Sequence, residues 1–226
     1  METMRYYPVH LDIKNRVCLV VGGGRVATRK VNTLSACGAK VTVISPEVTP
    51  ALTDMAGQGL IKLEQRPYHS SDQDGAFLVI AATNDAALNR LIHNDAQAAG
   101  RLCNIIDQPR QCDFIVPSVI RQGDLMVTIS TGGKSPAFAK HLRRQLKAQF
   151  GPEYASLLQL MGAVRQRLLE QAHAPETHKK IFEQLIAADL LMFIRAGDRQ
   201  QIDAILTQVA GPDYVLDQLL PEFKLK

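Results

Sequence analysis

The stretch Val17-Cys-Leu-Val-Val-Gly-Gly-Gly-Arg-Val-Ala27 decides the fold of this chain. Its apolar run, Val17–Gly22, predicts a strand that is buried on both faces of a parallel sheet. The glycines that end the run predict a tight turn, and residues 26–37 then form a predicted helix that is closed by Gly38. We expect this helix to bury Ala27, Val31 and Leu34.

The pattern G-x-G-x-x-A runs from Gly22 to Ala27 and predicts a dinucleotide-binding turn. The first glycine permits the tight turn, Gly24 lets the backbone approach a pyrophosphate, and Ala27 lets the helix pack close to the sheet. The alternative is a glycine turn that only serves packing. Under the first interpretation the cofactor is bound by Gly22, Gly23, Gly24, Arg25 and Val26.

Two further segments are candidates for contact with the cofactor. The second predicted strand stops at Pro46, and Glu47 beyond it is suited to bond the adenosine ribose and to repel the 2′-phosphate of NADP. NAD is therefore the predicted cofactor, with NADP as the alternative. Thr83 and Asn84 follow the fourth predicted strand, and with Asp85 they also form a plausible N-cap for the next helix.

Strands and helices alternate along about the first 110 residues. We predict strands at 40–45, 60–65, 77–82 and 102–107, and a second helix at 84–99. This alternation predicts βαβ units and an open, doubly wound parallel sheet of the Rossmann-like kind.

The pattern changes after the fifth strand. Residues 114–120 and 125–130 predict a β-hairpin, and a helix over 136–150 begins with proline. The remainder is predicted to be helical, with breaks near Ala174-Pro175, Gly197-Asp198 and Gly211-Pro212. The predicted fold class is α/β, with a Rossmann domain over residues 1–112, a small α+β region over 113–150 and a helical domain over 151–226.

Asp107 ends the fifth predicted strand, at the carboxyl edge where open α/β sheets place their chemistry. A partly buried carboxylate there is suited to act as a general acid or base. Alternatively, Asp107 only begins a turn with Pro109.

The loop Ser130–Pro136 contains Gly-Lys-Ser, but Thr128 stands where a phosphate-binding P-loop needs its first glycine. What remains is a polar loop that leads into a helix N-terminus, which predicts a site for anionic groups. The candidate residues are Ser130, Thr131, Gly132, Lys134 and Ser135.

Charge is unevenly distributed along the 226 residues. Residues 1–150 hold 18 Lys and Arg against 12 Asp and Glu, whereas the whole chain has a formal net charge of +4. This excess predicts an acidic partner. In the helix over 136–150, Phe138, Leu142, Leu146 and Phe150 form a predicted apolar stripe. A basic face, which is either solvated, a subunit interface or a ligand site, is formed by Lys140, Arg143, Arg144 and Lys147.

Composition narrows the remaining classes of protein. No apolar run approaches the roughly 18 residues of a membrane span, and the start of the chain lacks the apolar core of a secretory signal. We therefore expect a cytoplasmic protein. The cysteines have no metal-ligand spacing and are expected to be reduced, so no resident metal is predicted. Nucleic acid is not an expected partner, because the basic residues lack interleaved aromatic side chains.

Five collinear segments together resemble the precorrin-2 dehydrogenase family, which includes the N-terminal module of siroheme synthases. They are Val20–Lys30, Ala81–Asp85, Cys103–Asp107, Phe114–Ser118 and Ser130–Pro136. The resemblance extends over roughly residues 5–150, and the helical remainder is only generically similar.

The resemblance implies NAD-dependent oxidation of precorrin-2 to sirohydrochlorin in siroheme or related tetrapyrrole synthesis. It also implies a homodimer, with 113–150 as the dimerisation hairpin and helix, and gives Asp107 the central catalytic role. Arg25, Val26, Pro46 and Glu47 fall where family members contact NAD. Thr131 falls where some relatives have a serine.

Two alternatives to a simple dehydrogenase stay open. One is a bifunctional precorrin-2 dehydrogenase and sirohydrochlorin ferrochelatase, for which ferrous ion would be a substrate. The other is a non-catalytic NAD-sensing Rossmann module, which has no evident use for both Asp107 and the Ser130–Pro136 loop.

Overall fold

The computed structural model describes residues 5–106, 108–171 and 175–223. The chain divides into two compact units, Met1–Val116 and Pro117–Lys226. The predicted boundary at residue 112 lies close to this division. The predicted boundary at residue 150 stays a prediction, because residues on both sides of it belong to the second unit.

The first unit is built on a parallel sheet with the strand order β3-β2-β1-β4-β5. Strand β1 pairs with β2 on one side and with β4 on the other, so the strand order reverses next to β1. The predicted Rossmann-like α/β class is thereby confirmed. The strands are β1 (Val17–Val21), β2 (Lys40–Ile44), β3 (Lys62–Glu64), β4 (Leu78–Ala81) and β5 (Leu102–Ile105).

Helices cover both faces of this sheet. They are α1 (Arg25–Ala36), α2 (Pro50–Gly57) and α3 (Ala86–Ala98). As predicted, α1 buries Ala27, Val31 and Leu34. Sequence analysis missed α2, because this eight-residue helix buries a single side chain, Leu52, and so shows no helical period.

The second unit begins with an antiparallel hairpin of β6 (Ser118–Gln122) and β7 (Leu125–Ile129). The first strand starts later than the predicted residue 114. Pro117 has no N–H for a ladder, and the preceding segment is bonded to β5 instead: Asp113 N donates to Cys103 O at 3.0 Å, and Asn104 Nδ2 donates to Phe114 O at 2.9 Å.

The rest of the second unit is helical, as predicted. Its helices are α4 (Pro136–Lys147), α5 (Glu153–Glu170), α6 (Pro175–Ala187), α7 (Leu190–Ala196), α8 (Arg199–Ala210) and α9 (Leu216–Leu219). The break at Gly197-Asp198 is confirmed, because Gly197 ends α7 at a φ of 72° and Asp198 caps α8. The break at Gly211-Pro212 follows α8, and the break near Ala174-Pro175 lies at the edge of the described residues.

These helices enclose a separate apolar core, in which Leu160, Val164 and Ile202 are fully buried. The buried carboxylate of Glu153 pairs with Arg195. Of the helices described for this chain, not one is both long and apolar enough to cross a membrane.

Candidate functional site

The first two glycines of the turn after β1 pack so closely on two other segments that neither has room for a side chain. A Cβ on Gly22, whose φ is 119°, would overlap the carbonyl of Ala82, which directly follows β4. A Cβ on Gly23 would overlap the carbonyl of Glu47, which follows β2. The backbone is also tied to this segment, because Thr49 N donates to Gly23 O at 3.0 Å. The carboxyl ends of β1, β2 and β4 therefore meet at one point.

Gly24 differs from its two neighbours, because a Cβ there would meet no atom of the described chain within 4 Å. It is exposed and is the N-cap residue of α1, without a side-chain cap. The first turn of α1 also carries no acidic residue. Its N–H groups and the positive end of the helix dipole are thus open to an anion, and an anion can approach the backbone closely at Gly24.

Hydroxyl groups that sequence analysis missed hold the turn in place. Thr28 Oγ1 donates to Gly24 O at 3.0 Å and lies 2.8 Å from Thr49 Oγ1. Ser45 Oγ donates to Glu47 O at 2.7 Å. Thr28 and Thr49 are 21 residues apart, so no local pattern could have paired them. Glu47 is exposed beside this brace, as is Pro46.

The segment after β4 caps α3, as the alternative interpretation of Thr83–Asp85 predicted. Asp85 accepts hydrogen bonds from the N–H groups of Ala87 and Leu88. Thr83 Oγ1 donates to Asn89 Oδ1 at 2.8 Å, so this hydroxyl is engaged within the protein. Asn84 is exposed at the same edge of the sheet. A cofactor contact of Thr83 and Asn84 stays a prediction.

Asp107, the predicted catalytic carboxylate, lies outside the described residues. Close to this position in the sequence, the thiol of Cys112 makes hydrogen bonds with Ile105, the last residue of β5, and with Gln108, which follows it. Cys112 Sγ accepts from Ile105 N at 3.2 Å and lies 3.2 Å from Ile105 O and 3.3 Å from Gln108 O. Burial raises the pKa of this thiol, so it stays protonated and can donate to these carbonyls. Sequence analysis had assigned Cys112 no role beyond a reduced thiol.

In the second unit, hydroxyls shape the loop before α4. Ser135 Oγ accepts from Phe138 N at 3.2 Å and so caps α4, while Thr131 Oγ1 accepts from Ser135 N at 3.1 Å. Ser130 Oγ accepts from Gly132 N at 3.1 Å. Gly132 is exposed, and so is Lys134. Each of these hydroxyls accepts a hydrogen bond within the loop, so its own O–H group can still donate a hydrogen bond to an anionic group.

Helix α4 differs from the predicted stripe at both ends, because Phe138 is exposed and Phe150 lies beyond Lys147, where the helix ends. Phe138 is 53% exposed, and Ala139 is the residue that this helix buries. Three of the four predicted basic residues are exposed, and Arg143 is half-buried. None of the ion pairs found among the described residues involves any of the four.

Over residues 5–106, 108–171 and 175–223, no group of three or more His, Cys, Asp or Glu side chains is placed to hold a metal ion.

Comparison with known proteins gives two family matches. Residues 9–118 match a family described as putative NAD(P)-binding, and residues 122–149 match the family described as sirohaem biosynthesis protein central. The first match covers the glycine turn and the whole parallel sheet. The second covers most of the hairpin and helix α4.

The chain is also similar to siroheme synthases. The siroheme synthase of Nitrosococcus oceani is 34% identical over 215 residues, which cover 95% of this chain and 46% of that protein. Siroheme synthase 2 of Yersinia enterocolitica is 37% identical over 197 residues, which cover 87% of this chain and 42% of that protein. The chain therefore spans less than half the length of these relatives.

A solved structure described as SirC, precorrin-2 dehydrogenase, aligns with this chain at a TM-score of 0.74 and 26% identity. The alignment covers 88% of this chain and 98% of that one.

The contrast between Gly23 and Gly24 gives a test of the turn. We expect Gly23→Ala to lower the free energy of unfolding by about 2 kcal/mol or more, because its Cβ meets a backbone carbonyl that cannot move freely. Gly24→Ala is the matched control and should cost about 1 kcal/mol or less, since its Cβ enters open space. Urea denaturation of the two variants measures both values. Equal destabilisation would contradict the packing described for Gly23.

Proposed function

Since this chain belongs to the precorrin-2 dehydrogenase family, which includes the dehydrogenase module of siroheme synthases, we propose that it oxidises precorrin-2 to sirohydrochlorin with NAD. One observation carries this proposal: the likeness to a solved precorrin-2 dehydrogenase extends over 98% of that protein. A module that only sensed NAD would not need the part of the chain that follows the parallel sheet.

The residues of the glycine turn fit the proposed cofactor. The N–H groups of Gly24, Arg25 and Val26 would bind the pyrophosphate, because the N-terminus of α1 is open and uncapped there. Glu47 would accept hydrogen bonds from the adenosine ribose. NAD, when bound, supplies a nicotinamide ring that accepts a hydride. The reversal of strand order between β1 and β4 supports this position for a dinucleotide.

The substrate is a tetrapyrrole that carries eight carboxylates. The basic excess of the first 150 residues favours such a ligand, and charge-assisted hydrogen bonds would hold it. We assign the loop residues Ser130, Thr131, Gly132, Lys134 and Ser135 to substrate binding. The oxidation removes a hydride and a proton from the ring, and Asp107 is the proposed acceptor of the proton.

We further propose that the protein acts as a homodimer in the cytoplasm. Large apolar side chains of the second unit support the dimer, since Val119, Met126 and Phe138 are 38%, 41% and 53% exposed. The basic residues of α4 lack acidic partners among the described residues, which also favours a partner surface or ligand there. Sedimentation equilibrium of the protein tests the assembly.

The defining experiment supplies the purified protein with precorrin-2 and NAD and follows both NADH and the absorption of sirohydrochlorin. We expect the two products to form together in a 1:1 ratio, because one hydride leaves each precorrin-2. Ferrous ion is then added, and metal insertion faster than in the protein-free control would add ferrochelatase activity. No NADH with fresh precorrin-2 would contradict the proposed dehydrogenase.

The proposed role of Asp107 is tested by Asp107→Asn. This change removes the proton acceptor but keeps the size of the side chain, so we expect kcat to fall by about 100-fold or more. NAD affinity, measured by calorimetry, should stay within twofold of the unsubstituted protein. Near-normal turnover by the variant would remove Asp107 from the mechanism.

The cofactor position is tested by Gly24→Asp. The Cβ of the new residue would enter open space and its carboxylate would lie against the pyrophosphate, so we expect the fold to persist and NAD to bind about 10-fold more weakly or worse. Thermal unfolding checks the fold and calorimetry checks the affinity. Unchanged affinity for NAD would place the dinucleotide elsewhere.

A further inference from the structure

Asn89 is a buried polar residue of α3 to which the proposed function assigns no role. Its side chain lies within the helix on the buried face and is only 4% exposed. Asparagine is a weaker helix former than alanine or leucine, and a buried amide without hydrogen bonds costs free energy. Leucine would therefore suit both the helix and its packing better, unless the amide makes hydrogen bonds that the protein requires.

Both ends of the Asn89 amide bond to a single residue, Thr83, which lies between β4 and α3. Asn89 Nδ2 donates to Thr83 O at 3.0 Å, and Asn89 Oδ1 accepts from Thr83 Oγ1 at 2.8 Å. The opposite orientation of the amide would place its oxygen against the Thr83 carbonyl oxygen, so only this orientation satisfies both groups. Asn89 thus holds the main chain and the side chain of Thr83 at the same time.

Capping of α3 does not explain these two hydrogen bonds. Asp85 already caps the helix, because its carboxylate accepts from the N–H groups of Ala87 and Leu88. The Thr83 hydroxyl also accepts from Asp85 N at 3.1 Å and lies 3.1 Å from Asp85 O, so protein groups surround it. The amide of Asn89 therefore serves the segment that leaves β4 and not the start of the helix.

The segment that Asn89 holds forms one wall of the glycine turn. Ala82 N donates to Val21 O at 2.8 Å, at the end of β1. A Cβ on Gly22 would lie 2.3 Å from Ala82 O and 3.2 Å from Thr83 N. Because the two segments are in such close contact, the position of Thr83 determines the surface beside the turn on the side of β4.

This surface lies on the side of the turn that remains for the nicotinamide half of the cofactor. The pyrophosphate is assigned to the N–H groups at the start of α1, and the adenosine to the side of β2, where Glu47 lies. A dinucleotide binds across the carboxyl ends of the strands at the reversal of strand order, so it extends from β2 past β1 towards β4. The end of β4 is therefore next to its reacting half.

We propose that Asn89 is a positioning residue for the nicotinamide half of NAD and acts through Thr83. The proposal rests on the function proposed above. Since the Thr83 hydroxyl is bonded within the protein, contact with the cofactor falls to main-chain groups of residues 82–84 and to the exposed side chain of Asn84. Asn89 is buried and keeps these groups in place without touching the cofactor.

The test compares Asn89→Leu with a matched control, Gln73→Leu. Both changes remove a buried amide that makes two hydrogen bonds, but Gln73 donates to Tyr68 Oη and Ile92 O instead of the segment after β4. We expect Asn89→Leu to weaken NADH binding by about 10-fold, the value of one hydrogen bond, and Gln73→Leu to change it by less than about twofold. ADP lacks the nicotinamide, so we expect both variants to keep its affinity within about twofold.

Calorimetry measures these affinities, and thermal unfolding measures the stability that each variant loses. If Asn89→Leu fails to fold, Asn89→Ala, which adds no bulk, replaces it. Turnover adds a further readout, because hydride transfer requires an accurately placed nicotinamide. We expect kcat of the Asn89 variant to fall by about 10-fold or more, while the KM for precorrin-2 stays within about twofold.

A double-mutant cycle tests whether Asn89 acts through Thr83. Thr83→Val removes the hydroxyl and keeps the shape of the side chain. If both changes disrupt the same contact, their effects on NADH affinity are not additive. We expect the double variant to bind NADH within about twofold of the weaker single variant. Additive losses would overturn the role of Thr83 as the link.

The remaining outcomes separate this role from the proposed reaction. If the unsubstituted protein oxidises precorrin-2 and Asn89→Leu binds NADH as Gln73→Leu does, the role of Asn89 is overturned while the dehydrogenase stands. Equal losses of affinity for NADH and ADP in Asn89→Leu also overturn it, because they indicate a general disturbance of the turn. If the unsubstituted protein binds NADH but does not oxidise precorrin-2, the dehydrogenase fails, and selective loss of NADH binding still supports Asn89. If it does not bind NADH, both proposals fail.

Discussion

Two close approaches of backbone to backbone organise the first unit. Gly22 lies against the carbonyl of Ala82, and Gly23 lies against the carbonyl of Glu47, at distances that any side chain would prevent. These contacts bring together the carboxyl ends of β1, β2 and β4, at the point where the strand order reverses. Everything proposed for the cofactor depends on this junction, because it fixes where α1 begins and which way its N-terminus points.

The three consecutive glycines at this junction differ in the space around them. Gly22 and Gly23 are required by the packing of the protein itself, whereas Gly24 faces open space, which leaves room for the proposed pyrophosphate. Around them, Thr28, Thr49 and Ser45 bond to backbone or to one another, so the turn is held without using the N–H groups at the start of α1. A rigid turn with unused donors is what an anion-binding site requires.

The charge at the start of α1 also favours an anionic ligand. Its N-terminus is positive through the helix dipole, and its first turn carries no acidic residue. Helix α4 of the second unit likewise presents basic residues without acidic partners in the described chain. No ion pair of the described residues involves the first turn of α1 or the four basic residues of α4, so each feature suits an anionic group: the proposed pyrophosphate at α1 and a carboxylate of the proposed substrate at α4.

How far the sequence predicts the protein depends on the range of the interactions involved. Strand β1, the buried face of α1, the parallel sheet and the break at Gly197-Asp198 follow from patterns within a few residues, and the structure confirms them. Sequence patterns did not predict short or weakly periodic elements, such as α2. They also did not predict the late start of β6, because it depends on hydrogen bonds between residues 113 and 114 and strand β5.

The sequence by itself determined the class of fold, the glycine turn and the family resemblance, because each is written in contiguous residues whose spacing carries the physical reason. Only the tertiary structure decided which glycine has open space beside it, which hydroxyls brace the turn, and how the thiol of Cys112 bonds to the end of β5. The decisive contacts join residues far apart in the sequence, such as Thr28 with Thr49 and Gly22 with Ala82, and they arise only once the sheet has brought separate segments together.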